Sequence, residues 1–239
     1  MVTNKTADLS SLKFVTGETL LIDKPSGWTS FKVVHTIKRA INVRRVGHTG
    51  TLDPLATGLL IVLTGRNTKQ MIKYQDLDKT YTGVILLGKS SPSMDTETEM
   101  TSKELPDDLS NEKIYEIRNI FLGEITQIPP MYSALKVNGR KLYHLARKGK
   151  LIKREPRKIH ISKFDITAIN LPKIHFEITC SKGTYIRVIV NDFGEKLGCG
   201  AVLSNLRRTK IGHYDVQDAL SVNDFVSKLS ASVNALKAF

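Results

Sequence analysis

Helical and strand periods alternate along the chain, so its 239 residues read as an α/β protein in the broad sense. Val33, Val34, Ile37 and Ile41 recur at helical spacing behind Ser30, whose hydroxyl suits an N-cap. Ile174, Phe176, Ile178 and Cys180 alternate with His175, Glu177 and Thr179, the period of a half-buried strand. Between them lies Gly47-His-Thr-Gly-Thr-Leu-Asp-Pro-Leu-Ala-Thr-Gly58, a Gly- and Pro-rich loop that runs straight into the apolar segment 59–63. A loop of this kind, abutting a buried element, can hold one side chain at a fixed place. The candidate is Asp53.

In order along the chain, residues 1–16 are polar and weakly patterned and are expected to form a flexible arm ahead of a domain spanning 17–239. Residues 19–23 make a short apolar strand ending at the turn Lys24-Pro25-Ser26-Gly27. Lys32, Lys38 and Arg39 intersperse the following helix, and Arg44 and Arg45 come after it; a solvated face and an RNA contact both account for them. Asn67 is placed to cap a helix through Met71 and Ile72, and residues 79–88 read as a strand. Gly83 to Ser90 fits the phosphate-loop pattern G-x-x-x-x-G-K-[ST]. Its variable positions, however, are Val, Ile, Leu and Leu, and Ser91-Pro92-Ser93 stands where a helix should begin, so no nucleotide is expected there.

Residues 89–111 are polar and read as a surface loop, and Ile114, Ile117, Ile120 and Phe121 mark an amphipathic helix that stops at Gly123. Strands at 158–169 and 173–181 flank Asn170-Leu171-Pro172, which predicts a hairpin. A further helix closes at Gly198. The last, at about 221–236, is capped by Ser221 and carries Val222, Phe225, Val226 and Leu229 on one side.

The charge balance points to a polyanion. Lys and Arg number 36 against 23 Asp and Glu, for a net charge of +13 and a pI near 9.7. Nucleic acid is the first partner this suggests and an anionic membrane surface the second. No apolar run is long enough to span a bilayer, and no signal segment opens the chain. Cys180 and Cys199 form no C-x-x-C pair and no His cluster has ligand spacing, so neither zinc nor a disulfide framework is expected, and a reducing cytoplasm fits.

The basic residues concentrate between Lys136 and Lys158, where Arg140, Lys141, Arg147, Lys148, Lys150, Lys153, Arg154 and Arg157 are opposed by Glu155 alone. Tyr143 and His144 lie among them with flat faces for unstacked bases, each stack worth roughly 1–3 kcal/mol. So lopsided a stretch would repel itself without an anion. Lys136, Arg140, Lys141, Arg147, Lys148 and Arg154 are therefore the expected RNA contacts.

Local chemistry leaves Asp53 two roles. Asp-Pro is a common turn starter, its carboxylate bonding nearby amides; the same group on a stiff loop near His48 is also a nucleophile or base. The twelve-residue loop resembles the catalytic motif of the tRNA pseudouridine-55 synthases, which isomerise a uridine in the T loop of tRNA. Four further blocks share the resemblance: Asp23-Lys-Pro-Ser-Gly-Trp-Thr-Ser30, Lys79-Thr-Tyr81, Cys180-Ser-Lys-Gly-Thr-Tyr-Ile-Arg187 and Leu203-Ser-Asn-Leu-Arg-Arg-Thr-Lys-Ile-Gly212. It covers about residues 17–215.

This resemblance implies that Asp53 is the nucleophile, that His48 lies beside the flipped base, and that Tyr81 stacks on it and moves a proton. It also implies that Arg187 pairs with Asp53, that Tyr185 lines the pocket and that Leu206 packs on the uracil ring. The implied fold is a mixed, largely antiparallel sheet flanked by helices, with a basic helical insertion at about 125–155 that clamps the T arm. An isomerisation requires no cofactor, metal or nucleotide. Attack at uracil C6 and at ribose C1′ both remain open. Many relatives carry a PUA-type module after the catalytic domain, and no such module is expected here. The expected partner is the T arm of tRNA, bound by a monomer. A non-catalytic RNA chaperone and a guide-dependent synthase of the dyskerin type are the rival readings.

Overall fold

The first apolar run is strand β1 (Thr19–Lys24), and the helical stripe behind it is α1 (Ser30–Ile41). The structure, a computed structural model, describes every residue except Ala134, Asn138, Ala238 and Phe239, and no side chain at positions 136, 137, 140, 141 and 233–237. Thr29 rather than Ser30 caps α1, its Oγ1 accepting from the Lys32 N–H at 3.0 Å, which leaves Ser30 to face inward. Asn42, in the left-handed region at φ 50°, ends the helix. Strand β2 (Val46–His48) then pairs antiparallel with β3 (Thr57–Thr64), and the motif loop joins them. A 3-10 segment of two turns, Gly65–Gln70, precedes α2 (Met71–Gln75), so Asn67 sits inside that segment and caps nothing. Strand β4 (Lys79–Leu87) follows with strictly alternating burial.

The chain divides into two compact units, Met1–Tyr81 with Leu206–Phe239, and Thr82–Asn205. In the second unit, β5 (Lys89–Ser90) and β6 (Thr101–Ser102) form a small hairpin, followed by α3 (Asn111–Ile120) and β7 (Gly123–Gln127). The basic stretch that follows holds a two-residue hairpin, β8 (Lys136–Val137) and β9 (Arg140–Lys141), and one short helix, α4 (Leu142–Ala146). It is less helical than expected. Strands β10 (Arg157–Asn170) and β11 (Lys173–Cys180) make the predicted hairpin, with β7 on the other edge of β10, all antiparallel. Helix α5 (Ile186–Leu197) ends at the left-handed Gly198, as its sequence suggests, and β12 (Ala201–Ile211) follows.

Phe121, Phe164, Phe176 and Phe193, with successive ring centroids 6.0–6.4 Å apart, fill the core of this unit. They also explain the glycine in the false phosphate loop. A Cβ at Gly83 would lie 2.5 Å from Phe176 Cζ and 2.6 Å from the Asn205 carbonyl oxygen, so the segment is a strand held tight against its neighbours.

The chain finishes the first unit with β13 (Tyr214–Asp215), β14 (Leu220–Ser221) and α6 (Val222–Lys237), where Ser221 Oγ caps by accepting from the Asp224 N–H at 3.0 Å. Strand β3 pairs antiparallel with β1 and parallel with β12. Its side chains divide between two apolar clusters: Leu60 and Val62 join Leu20, Ile22, Val33, Ile37 and Phe225, whereas Leu59, Ile61 and Leu63 join Leu21, Tyr74 and Ile211. Burial on both faces is why residues 59–63 are continuously apolar. Residues 1–16 are no loose arm: Val2 bridges to Leu20, and Val2, Leu9 and Phe14 are buried in the first cluster, Phe14 edge-on to Phe225 at 6.1 Å. Three apolar anchors spaced along a polar segment suffice to dock it.

Candidate active site

Strand β1 delivers Lys24 opposite Gly58, and the motif loop is fastened to the segment that follows Lys24. Ser30 Oγ donates to the Leu52 carbonyl at 3.1 Å and accepts from the Leu52 N–H at 2.9 Å. The Gly27 N–H donates to the Pro54 carbonyl at 2.9 Å and Ser26 Oγ to that of Leu55 at 3.3 Å. Within the loop, the Ala56 N–H donates to the Asp53 carbonyl at 3.1 Å, so the Asp-Pro turn is real. The two roles open to Asp53 are thus compatible: its backbone makes the turn, and the turn fixes where a half-buried carboxylate stands.

Two cations complete this region, and sequence reasoning assigned neither a role. Lys24 is wholly buried, its ammonium donating to the carbonyls of Pro25, Trp28 and Pro54 at 3.0, 2.6 and 3.2 Å. Burial pushes its pKa down to about 8, against the pull of the Asp53 carboxylate, which favours the charged form; the Arg208 guanidinium adds to the lowering. Arg208, also buried, donates from Nε to the Leu59 carbonyl at 2.7 Å and from Nη2 to that of Gly50 at 3.0 Å. Its neighbour Arg207 grips Asp23 with two nitrogens, at 3.1 and 2.6 Å. Consecutive arginines on β12 thus hold the motif loop and β1, for which the two arginines in a β-like run were the only sequence signal.

Lys24→Met should cost about 1–3 kcal/mol in urea unfolding, because the carbonyls of Pro25, Trp28 and Pro54 all lose the charged donor they share, and Pro54 keeps only the Gly27 N–H. Gly58 lets this happen: at φ 102°, a Cβ there would meet the Arg208 carbonyl oxygen at 2.3 Å and its nitrogen at 2.7 Å. Gly58→Ala is expected to destabilise by about 3 kcal/mol, strain and overlap together, seen as a lowered urea midpoint.

His48, at the end of β2, has Nδ1 accepting from the Gly50 N–H at 3.3 Å, which leaves the proton on Nε2. Burial, and secondarily the Arg208 charge, lowers its pKa below 6.5. Its contribution to stability is therefore whole above pH 6.5 and lost as pH falls through the lowered folded value. The stability gap between wild type and His48→Asn should narrow on acidification over that window in urea titrations. Tyr81 and Leu206 are in the same unit and buried, on β4 and β12.

The second unit brings Tyr185 and Arg187 together. Arg187 is 2 % exposed; Nη1 lies 3.4 Å from Asp95 Oδ2 and Nη2 donates to the Tyr132 carbonyl at 2.5 Å. Asp95 is wholly buried in a Ser/Thr-rich knot, its Oδ1 accepting from the Glu97 N–H at 2.9 Å and its carbonyl from Ser91 Oγ at 2.6 Å. Residues 89–111 were read as plain surface loop, because short polar residues that bond each other inward look the same in sequence as those that face water. The Tyr185 ring lies 4.8 Å from the Arg157 guanidinium carbon and 5.8 Å from that of Arg187. Gln127 fixes its backbone from both sides, donating to the Tyr185 carbonyl at 3.1 Å and accepting from its N–H at 2.9 Å.

The expected RNA contacts differ among themselves. Lys148 is exposed, with no ion pair among the described residues. Arg147 donates to Glu97 at 2.9 Å in an exposed pair worth little in water. Arg154 instead spends its guanidinium on the backbone, reaching the Pro129 carbonyl at 3.1 Å and that of Ile152 at 3.0 Å. It is thereby a clip for the stretch. The side chains of Lys136, Arg140 and Lys141 lie outside the described ones.

A stiff loop presenting a carboxylate among buried cations, on a mixed and largely antiparallel sheet flanked by helices, matches a known enzyme class. The family model described as TruB family pseudouridylate synthase (N terminal domain) matches residues 38–186, and that of the tRNA pseudouridylate synthase B C-terminal domain matches 187–236. The tRNA pseudouridine synthase B of Chloroherpeton thalassium is 47% identical over 227 residues, covering 93% of this chain and 94% of that protein. That of Flavobacterium johnsoniae is 44% identical over 224 residues, covering 91% and 98%. Among solved structures, a Cbf5-Nop10-Gar1 complex superposes with a TM-score of 0.69 at 25% identity, over 95% of this chain and 60% of that one. The chain therefore belongs to the TruB family of pseudouridylate synthases, which are isomerases. No helix among the described residues is long and apolar enough to cross a membrane.

Proposed function

We propose that the protein converts uridine 55 in the T loop of tRNA to pseudouridine. The observation that carries this is the motif loop itself, fastened through Leu52, Pro54 and Leu55 so that Asp53 has a fixed station, in a chain whose relatives are named tRNA pseudouridine synthase B. The target base must leave its stack, at a cost of a few kcal/mol. Stacking on Tyr81 and His48 and phosphate contacts from the basic stretch offset that cost. Asp53 attacks C6 or C1′, with Lys24 as a neighbouring cation and Arg187 as the cation that the family resemblance assigns to the reaction; the glycosidic C–N bond breaks, the uracil turns in place, C5 bonds to C1′, and the bond to Asp53 breaks so that the carboxylate is restored. Tyr81 moves the proton, while Tyr185 and Leu206 bound the pocket. The proton lost from C5 goes to solvent and N1 takes one up, so the reaction balances with no oxidant, reductant or cofactor. A monomer in the cytoplasm suits this role.

Incubation of the purified protein with unmodified tRNA transcript should produce one new pseudouridine, in the T loop, without a guide RNA. Unchanged uridine there would favour a chaperone, and a guide requirement the dyskerin-type reading. Lys148→Ala should weaken binding alike for all RNAs and lower the salt slope by roughly 0.7, the loss of one phosphate contact.

A further inference from the structure

A recess at the start of β2 takes no part in the chemistry above. Its volume is about 550 Å³, and Arg44, Arg45 and Arg66 line it with Val15, Asn42 and Gly65. The backbone around it is stitched: the Gly65 N–H donates to the Arg45 carbonyl and the Arg66 N–H to that of Thr16, both at 2.9 Å. The three guanidiniums are a different matter. All three residues are exposed, and among the described residues none has a carboxylate partner or a side-chain hydrogen bond.

Other charges nearby do not neutralise them. The last turn of α1 adds Lys38 and Arg39, and the carbonyls of those two residues already accept from Asn42 and Val43. Three guanidiniums around one recess repel one another without an anion, and a phosphate accepts such forks in bidentate fashion. Position supplies the rest. Arg45 immediately precedes β2 and His48 ends it, so their Cα atoms stand about 10 Å apart along one strand.

We propose that this recess is an RNA backbone site, in which Arg44, Arg45 and Arg66 hold phosphates of nucleotides flanking the one beside His48. This rests on the reading of RNA as substrate and deepens it. The site would set the strand's register on the loop, so it acts on binding and leaves chemistry alone.

The test is tRNA transcript binding by the full chain over a range of salt, for wild type and Arg44→Ala/Arg45→Ala/Arg66→Ala, with thermal unfolding as the check on folding. The expected result is affinity lowered on the order of tenfold at low salt, a log–log salt slope flatter by roughly 2, and raised KM with kcat little changed. A salt slope equal to wild type would overturn the proposal. So would inorganic phosphate raising the melting temperature of wild type but not of the triple variant while both bind transcript equally, which would assign the recess to a free anion. If the triple variant does not fold, the single variants are measured, each expected to flatten the slope by roughly 0.7. Wild-type pseudouridine formation keeps the two readings apart: its presence with an unchanged slope sinks the recess alone, and its absence together with absent binding sinks both.

Discussion

Arg187→Ala is expected to abolish turnover and to lower stability by about 3–5 kcal/mol. The guanidinium is almost fully buried, and it holds the equally buried Asp95 and the Tyr132 carbonyl. Deleting it leaves a carboxylate in a dry knot without that cation, and this penalty exceeds anything the pair contributes when intact. Pairing the change with a neutral partner separates structure from chemistry. Arg187→Met with Asp95→Asn should recover much of the urea midpoint, since the buried Asp95 charge is then no longer stranded, yet should regain no activity. Recovered activity would show that Arg187 serves the fold alone.

Asp53→Asn should remove turnover by more than about 10⁴-fold while changing the Kd for tRNA transcript by less than about twofold. The amide matches the carboxylate in shape, and the loop is held through the backbones of Leu52, Pro54, Leu55 and Ala56, not through that side chain alone. The geometry therefore survives. What disappears is an anionic oxygen able to bond carbon. Binding is carried by phosphate contacts elsewhere, so it should persist.

The strands and helices whose period is set by burial were legible in the chain: the 59–63 run, the β10–β11 hairpin and the α5 stop at Gly198 all follow from local pattern. The motif loop was legible too, because its glycines and proline punctuate it. Residues acting through distant partners were not. Nothing local tells that Lys24 will be buried beneath three carbonyls, that Arg208 will thread between Gly50 and Leu59, or that Asp95 will leave a polar loop for the interior. Each is a long-range polar contact, set by tertiary packing, and a charged residue in sequence reads first as a solvated one. The N-terminal segment misled for the converse reason, since Val2, Leu9 and Phe14 have no period to announce them.

Release of tritium from tRNA labelled with [5-³H]uridine, followed for wild type and Asp53→Asn side by side, tests the central claim most directly. Transfer of C1′ to C5 displaces the hydrogen there, so wild type should release one tritium per tRNA and Asp53→Asn none, even with tRNA saturating. Release by Asp53→Asn at the wild-type rate would contradict the assignment of that carboxylate as the nucleophile.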